Sequence, residues 1–150
     1  MLKIGDHIPD FSLKDHAGDN FSINSLAGKK NLVIYFYPGD FTPVCTREAC
    51  SFRDAYESFL EKDCEIIGIS KDSVESHARF KKEKNLPFIL LSDVDGTVHQ
   101  LFGVKGDLFG LIPGRITFVF NKDAKLVYQF DSQLQAEKHV RNSLEILGDL

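Results

Sequence analysis

Apolar and polar positions alternate in two short early segments, Asp10-Phe11-Ser12-Leu13-Lys14 and Asn20-Phe21-Ser22-Ile23. Between them, Asp15-His16-Ala17-Gly18 has turn chemistry, so the pair predicts a hairpin. Asn31–Tyr37 is then almost continuously apolar and rich in branched and aromatic side chains, as in a strand covered on both faces. Glu65–Ser70 and Pro87–Ser92 repeat that character, and Arg115–Asn121 and Lys125–Asp131 form a pair joined at Lys122-Asp123-Ala124. Elsewhere the apolar spacing changes to three and four. Phe52, Ala55, Tyr56 and Phe59 make such a stripe within Pro43–Glu61, which predicts one helix. Ser73–Lys84 reads as a polar amphipathic helix capped by Ser73 or Asp72, Thr97–Phe102 as a short helix and Gln135–Leu147 as the last. The Asp93–Gly96 segment is a turn, and Gly103–Gly114, with four glycines and a proline, is a loop.

Strand and helix alternate through the middle of the chain, followed by a hairpin and a closing helix. That order predicts an α/β sheet with helices on both faces, parallel in its middle and antiparallel at one edge. A thioredoxin-like fold with an added N-terminal β-hairpin fits it. With 150 residues and no repeat, linker or low-complexity tract, the chain reads as a single domain over residues 1–150.

Composition narrows the function. A net charge of −4 gives no reason to expect nucleic acid or an anionic membrane as partner. No apolar run approaches the roughly 20 residues that span a bilayer. Met1-Leu2-Lys3-Ile4-Gly5-Asp6 lacks the apolar core of a secretory signal, so a cytoplasmic location is expected. Three cysteines are too few for a disulfide scaffold, and their odd count argues against simple structural pairing.

The chemistry concentrates in Tyr37-Pro38-Gly39-Asp40-Phe41-Thr42-Pro43-Val44-Cys45-Thr46-Arg47-Glu48-Ala49-Cys50. Thr42 suits a helix N-cap and Pro43 the first helical position, which puts Cys45 third, in the first turn. Unsatisfied N–H donors and the helix dipole favour a thiolate there. Arg47 is on the wrong face to assist. Arg115, at the head of a later strand, is the better cation if that strand neighbours Asn31–Tyr37. Cys50 lies five residues on, which in an intact helix separates the Cα atoms by roughly 8–9 Å. A disulfide needs about 4.4–6.8 Å, so the two thiols either never pair or pair only when the helix unwinds.

Rival chemistries fit less well. No Cys-x-x-Cys pair is present, and Cys64, just before a strand, is the only thiol left to complete a zinc site. A cysteine hydrolase needs a histidine base. His7, His16, His77, His99 and His139 are available, none in a recognisable signature.

Taken together, Pro38, Thr42 and Cys45, with Pro113-Gly114-Arg115-Ile116-Thr117-Phe118-Val119-Phe120, resemble the motif of the peroxiredoxins, thiol peroxidases of thioredoxin-like fold. Cys50 at plus five, Phe52-Arg53-Asp54 and Gln135-Ala136-Glu137-Lys138-His139-Val140 resemble the bacterioferritin comigratory protein or peroxiredoxin Q subgroup. The resemblance implies an enzyme that reduces hydrogen peroxide and small organic hydroperoxides without cofactor or metal. It implies Cys45 as the peroxidatic nucleophile and Cys50 as the resolving thiol of an intramolecular disulfide, recycled by thioredoxin or a similar dithiol. Thr42 would hydrogen-bond thiolate or peroxide, Arg115 would stabilise developing charge, Pro38 would shield the sulfenic acid, and Glu48 would orient arginine. The subgroup also implies a monomer. A peroxide-sensing switch or chaperone-like binding protein using the same disulfide is the alternative.

Overall fold

A computed structural model describes residues 1–106 and 114–150. The loop expected over Gly103–Gly114 therefore lies mostly outside the described residues. Seven strands form one sheet: β1 (Ser12–Asp15), β2 (Asn20–Ser22), β3 (Asn31–Phe36), β4 (Cys64–Ser70), β5 (Ile89–Ser92), β6 (Ile116–Phe120) and β7 (Leu126–Asp131). Their order is β2-β1-β5-β4-β3-β6-β7. Only β3, β4 and β5 run parallel; β6 joins β3 antiparallel, and β1 joins β5 antiparallel. The sheet is thus antiparallel at both edges rather than at one, because the N-terminal hairpin extends it by pairing Lys14 with Ser92 and Asp15 with Leu91.

The helices are α1 (Pro43–Asp54), α2 (Tyr56–Glu61), α3 (Val74–Lys84), α4 (Thr97–Phe102) and α5 (Ala136–Gly148). The single helix expected over Pro43–Glu61 is broken at Ala55, which takes φ −97° and ψ 2°. The apolar stripe continues across the break, with Phe52 and Phe59 both fully buried, so periodicity alone did not reveal it. At α3, Ser73 is the cap of the two candidates: its side chain accepts from Ser76 N–H.

The period-two alternation of β3 divides the core. Leu32, Ile34 and Phe36 face one layer, which holds Val98 and Phe102 of α4 with Ile8, Phe11 and Ile23 from the N-terminal segment. Val33, Tyr35 and Tyr37 face the other, against Cys45, Ala49 and Phe52 of α1, Phe59 of α2, Phe80 of α3 and Val140 of α5. Tyr35 stacks on Phe52 at 4.6 Å and on Tyr37 at 5.3 Å. Gly68 on β4 makes room for it, since a Cβ there would meet Tyr35 and Leu90 at 3.0 Å. This aromatic layer seats α1 against the C-terminal end of β3, with Cys45 facing inward. Among the described residues no helix is long and apolar enough to cross a membrane.

Candidate active site

At the end of β3 the chain turns through Pro38, Gly39, Asp40 and Phe41 into α1. Thr42 has the extended backbone of an N-cap (φ −76°, ψ 150°) and Pro43 follows at the first helical position. The expected side-chain cap is not made. The Thr42 hydroxyl instead donates to Gly39 O at 2.9 Å, closing the turn behind it. The N–H groups of the first helical turn around Cys45 are thereby left without a capping oxygen from Thr42, and they keep their partial positive charge. Thr42 itself is exposed and Pro38 half-buried, while Cys45 is 1% exposed.

Arg115 precedes β6, whose register sets Phe36 opposite Ile116 and so carries Arg115 to the end of β3. The residue is 2% exposed and all three guanidinium nitrogens are used. Nη2 donates to Cys45 Sγ at 3.0 Å, Nη1 to Glu48 Oε1 at 2.6 Å and Nε to Gln133 O at 2.8 Å. Burial works against its charge, but Glu48 and Cys45 more than offset this and hold Arg115 above its usual range. A planar fork can bridge a sulfur and a carboxylate at once in a way a lysine cannot.

Glu48, one turn beyond Cys45, is fully buried. Burial pushes its carboxyl up to about 8, with Arg115 pulling the other way. Its Oε2 has no hydrogen-bond partner among the described residues and lies 3.6 Å from His139 Nδ1. Since His139 Nε2 faces Ser132 O at 2.8 Å, that nitrogen carries the proton, and Nδ1 accepts from Thr117 Oγ1 at 2.8 Å. Burial lowers His139 to about 4, so the ring is neutral and its approach to Glu48 is no ion pair.

The Glu48 shift has a sign that can be tested. Folding raises its carboxyl from 4.5 to about 8, so the stability it contributes is complete below 4.5 and is lost as pH rises through 8. His139 acts oppositely but only below 6.5, where the unfolded chain takes up its proton. Between those windows Glu48 acts without it. Denaturant titrations from pH 6.5 to 8 should show the wild type losing stability relative to Glu48→Gln; parallel curves would show the carboxyl is already ionised.

Cys50 is half-buried, and α1 is continuous from Pro43 to Asp54, so both thiols sit on a wound helix as free cysteines. Cys64 begins β4, is fully buried, and has its thiol driven far up by burial. It cannot act as a thiolate near neutrality. None of the hydrogen bonds to Cys45 among the described residues comes from a histidine, so the Cys–His pair of a hydrolase does not form. The contributions of His139, Thr117 and the Gln133 carbonyl were not legible from sequence spacing; only the assembled fold brings the carbonyl to Arg115 and the Thr117–His139 pair to Glu48.

The AhpC/TSA family matches residues 4–129 of the chain. The chain belongs to that family. It is a peroxiredoxin of the peroxiredoxin Q group, an oxidoreductase of the thiol peroxidase class. Chloroplastic peroxiredoxin Q of Oryza sativa subsp. japonica is 46% identical over 146 residues, covering 97% of this chain and 67% of the rice protein. That of Sedum lineare is 46% identical, covering 95% of this chain and 76% of its own. The chain thus spans about two thirds to three quarters of these relatives. Among solved structures, peroxidoxin BcpB of Mycobacterium tuberculosis superposes with TM-score 0.92 at 36% identity, over 100% of this chain and 99% of its own. Xanthomonas campestris peroxiredoxin Q gives 0.83 at 30% identity, over 93% and 90%.

Proposed function

We propose that this peroxiredoxin reduces hydrogen peroxide and small organic hydroperoxides through a Cys45–Cys50 cycle. The observation that carries the reading is the 3.0 Å contact from Arg115 Nη2 to Cys45 Sγ, made between two buried residues at the first turn of α1. The Cys45 thiolate attacks the terminal peroxide oxygen. The S–O bond forms as the O–O bond breaks, and the departing alkoxide or hydroxide takes up a proton to leave as alcohol or water. Arg115 stabilises the charge as it moves off sulfur, the exposed Thr42 hydroxyl accepts a hydrogen bond from the peroxide, and Pro38 shields the resulting sulfenic acid from water. Once α1 unwinds, the Cys50 thiol displaces water from that sulfenic acid to give the disulfide. A thioredoxin-like dithiol then supplies two electrons and is itself oxidised. A monomer without cofactor, working in the reducing cytoplasm, is sufficient for this cycle.

The test is mass spectrometry after one equivalent of peroxide. A loss of two hydrogens with a Cys45–Cys50 cross-link is expected, and Cys50→Ser should consume one equivalent and stall with dithiol reductant present. A Cys45–Cys64 or intermolecular link would overturn Cys50 as the resolving thiol.

A further inference from the structure

The turn that delivers the chain to Cys45 is tied down from outside α1. Asp40, 8% exposed, sits in the middle of that turn. Its Oδ1 accepts from Tyr37 Oη at 2.6 Å; its Oδ2 accepts from Ser76 Oγ at 2.8 Å and faces His77 Nδ1 at 2.7 Å. The other nitrogen of His77, Nε2, faces Leu91 O at 3.0 Å, so the ring is held at both ends between α3 and β5. The Asp40 backbone N–H donates to Asp72 Oδ2 at 2.8 Å, and Ser70 Oγ donates to the same oxygen. Next to Asp40, Phe41 packs edge-on against Phe80 at 5.1 Å and under Arg79 at 5.7 Å, again on α3. Phe41 has φ 65°, a left-handed conformation costly for an aromatic residue. Such a conformation persists only where its surroundings over-determine it, and such residues cluster at functional sites.

These contacts use none of the groups that touch the Cys45 sulfur. They join the turn to α3, whereas α1 itself is held by the aromatic layer and, at its surface, by Arg47 with Glu137 of α5. The polar ties of the turn, to Ser76, His77 and Asp72, are thus separate from those of α1, although Tyr37 and Phe80 belong to the layer on which α1 packs. Because α1 starts at Thr42 and Pro43, directly after the latched residues, unwinding its first turn pulls on the latch, and freeing the latch loosens that first turn while leaving the partners of Arg115 in place.

We propose that Asp40 and His77 form a latch between the Cys45 turn and α3 that favours the wound, Arg115-bound state of Cys45 over the unwound state that forms the disulfide. Both are positioning residues, and the inference rests on the reading of Cys45 as the peroxide-reactive thiol. The two half-reactions use opposite states of α1, so releasing the latch moves their rates apart. General destabilisation below the unfolding transition would not do this.

The experiment follows both steps in the reduced full-length protein: the second-order rate with hydrogen peroxide, and disulfide formation by quenched mass spectrometry. Asp40→Ala should slow the peroxide step about tenfold or more, as expected when a reacting atom is displaced. It should leave disulfide formation as fast as in the wild type or faster. Asp40→Asn should restore the peroxide step, because its carboxamide accepts from Tyr37 and donates to His77 Nδ1 while Nε2 keeps its proton for Leu91 O. If Asp40→Ala does not fold, Ser76→Ala and Tyr37→Phe each remove one bond of the latch and should shift the two rates the same way to a smaller extent. Unchanged rates in the folded variants, equal slowing of both steps, or failure of Asp40→Asn to rescue would each overturn the latch. Peroxide consumption persisting in Cys45→Ser would instead sink the underlying reading.

Discussion

Cys45→Ser should reduce peroxide consumption with a thioredoxin reducing system to the uncatalysed background while leaving the fold intact. Serine is nearly isosteric, and its hydroxyl can still accept from Arg115 Nη2 in place of the sulfur at 3.0 Å. What is lost is the nucleophile: an alcohol does not ionise near neutrality, even at a helix start beside a guanidinium, and the attacking species of this reaction is an anion. The other two thiols cannot substitute. Cys64 is buried and its ionisation strongly disfavoured, and Cys50 has neither the first-turn N–H groups nor Arg115. Steady consumption by the wild type, measured by NADPH oxidation in the coupled assay, also separates an enzyme from a redox sensor, which oxidises once and stops. Thioredoxin-dependent turnover in Cys45→Ser would remove Cys45 from its role.

The sequence was most readable where one local rule acts alone. Thr42-Pro43 fixes a helix start by backbone geometry, so Cys45 could be placed third in α1 without any tertiary information. The continuous apolar run of β3 announced a strand buried on both faces, and all of Asn31–Phe36 is buried. Arg115 needed one further step, the pairing of β6 with β3, which the strand pattern left as a condition and the sheet order supplies. Legibility failed where two local bonds compete or where partners are distant. Thr42 could cap or close its turn, and the Gly39 carbonyl won its hydroxyl. His77 and His139 each looked like isolated histidines on helices. Their partners lie 37 residues away at Asp40 and 22 away at Thr117, a separation no periodicity encodes. The break at Ala55 left no signal because the buried stripe runs through it.

Arg115→Ala should lower the second-order rate with peroxide by about a hundredfold to a thousandfold, the range for losing a preorganised donor to developing charge. Stability should fall as well. Among the described residues Arg115 is the hydrogen-bonding partner of the fully buried Glu48 carboxyl, and where that group is ionised, as pH rises through 8, breaking such a pair costs about 3–5 kcal/mol. The raised carboxyl of Glu48, at about 8 even with Arg115 present, sets a limit on that cost, since Glu48 can take up a proton instead of remaining an unpaired charge. A second substitution separates the two effects. Arg115→Ala with Glu48→Gln removes the ionisable group and should recover stability as pH rises through 8, while leaving peroxide reduction as slow as in Arg115→Ala. Arg115→Lys should fall between wild type and alanine, because one ammonium cannot reach Cys45 Sγ, Glu48 Oε1 and Gln133 O together. An unchanged rate in Arg115→Ala would place the arginine in the fold alone. Recovery of activity along with stability in the double variant would mean that charge burial, not transition-state stabilisation, is what Arg115 provides.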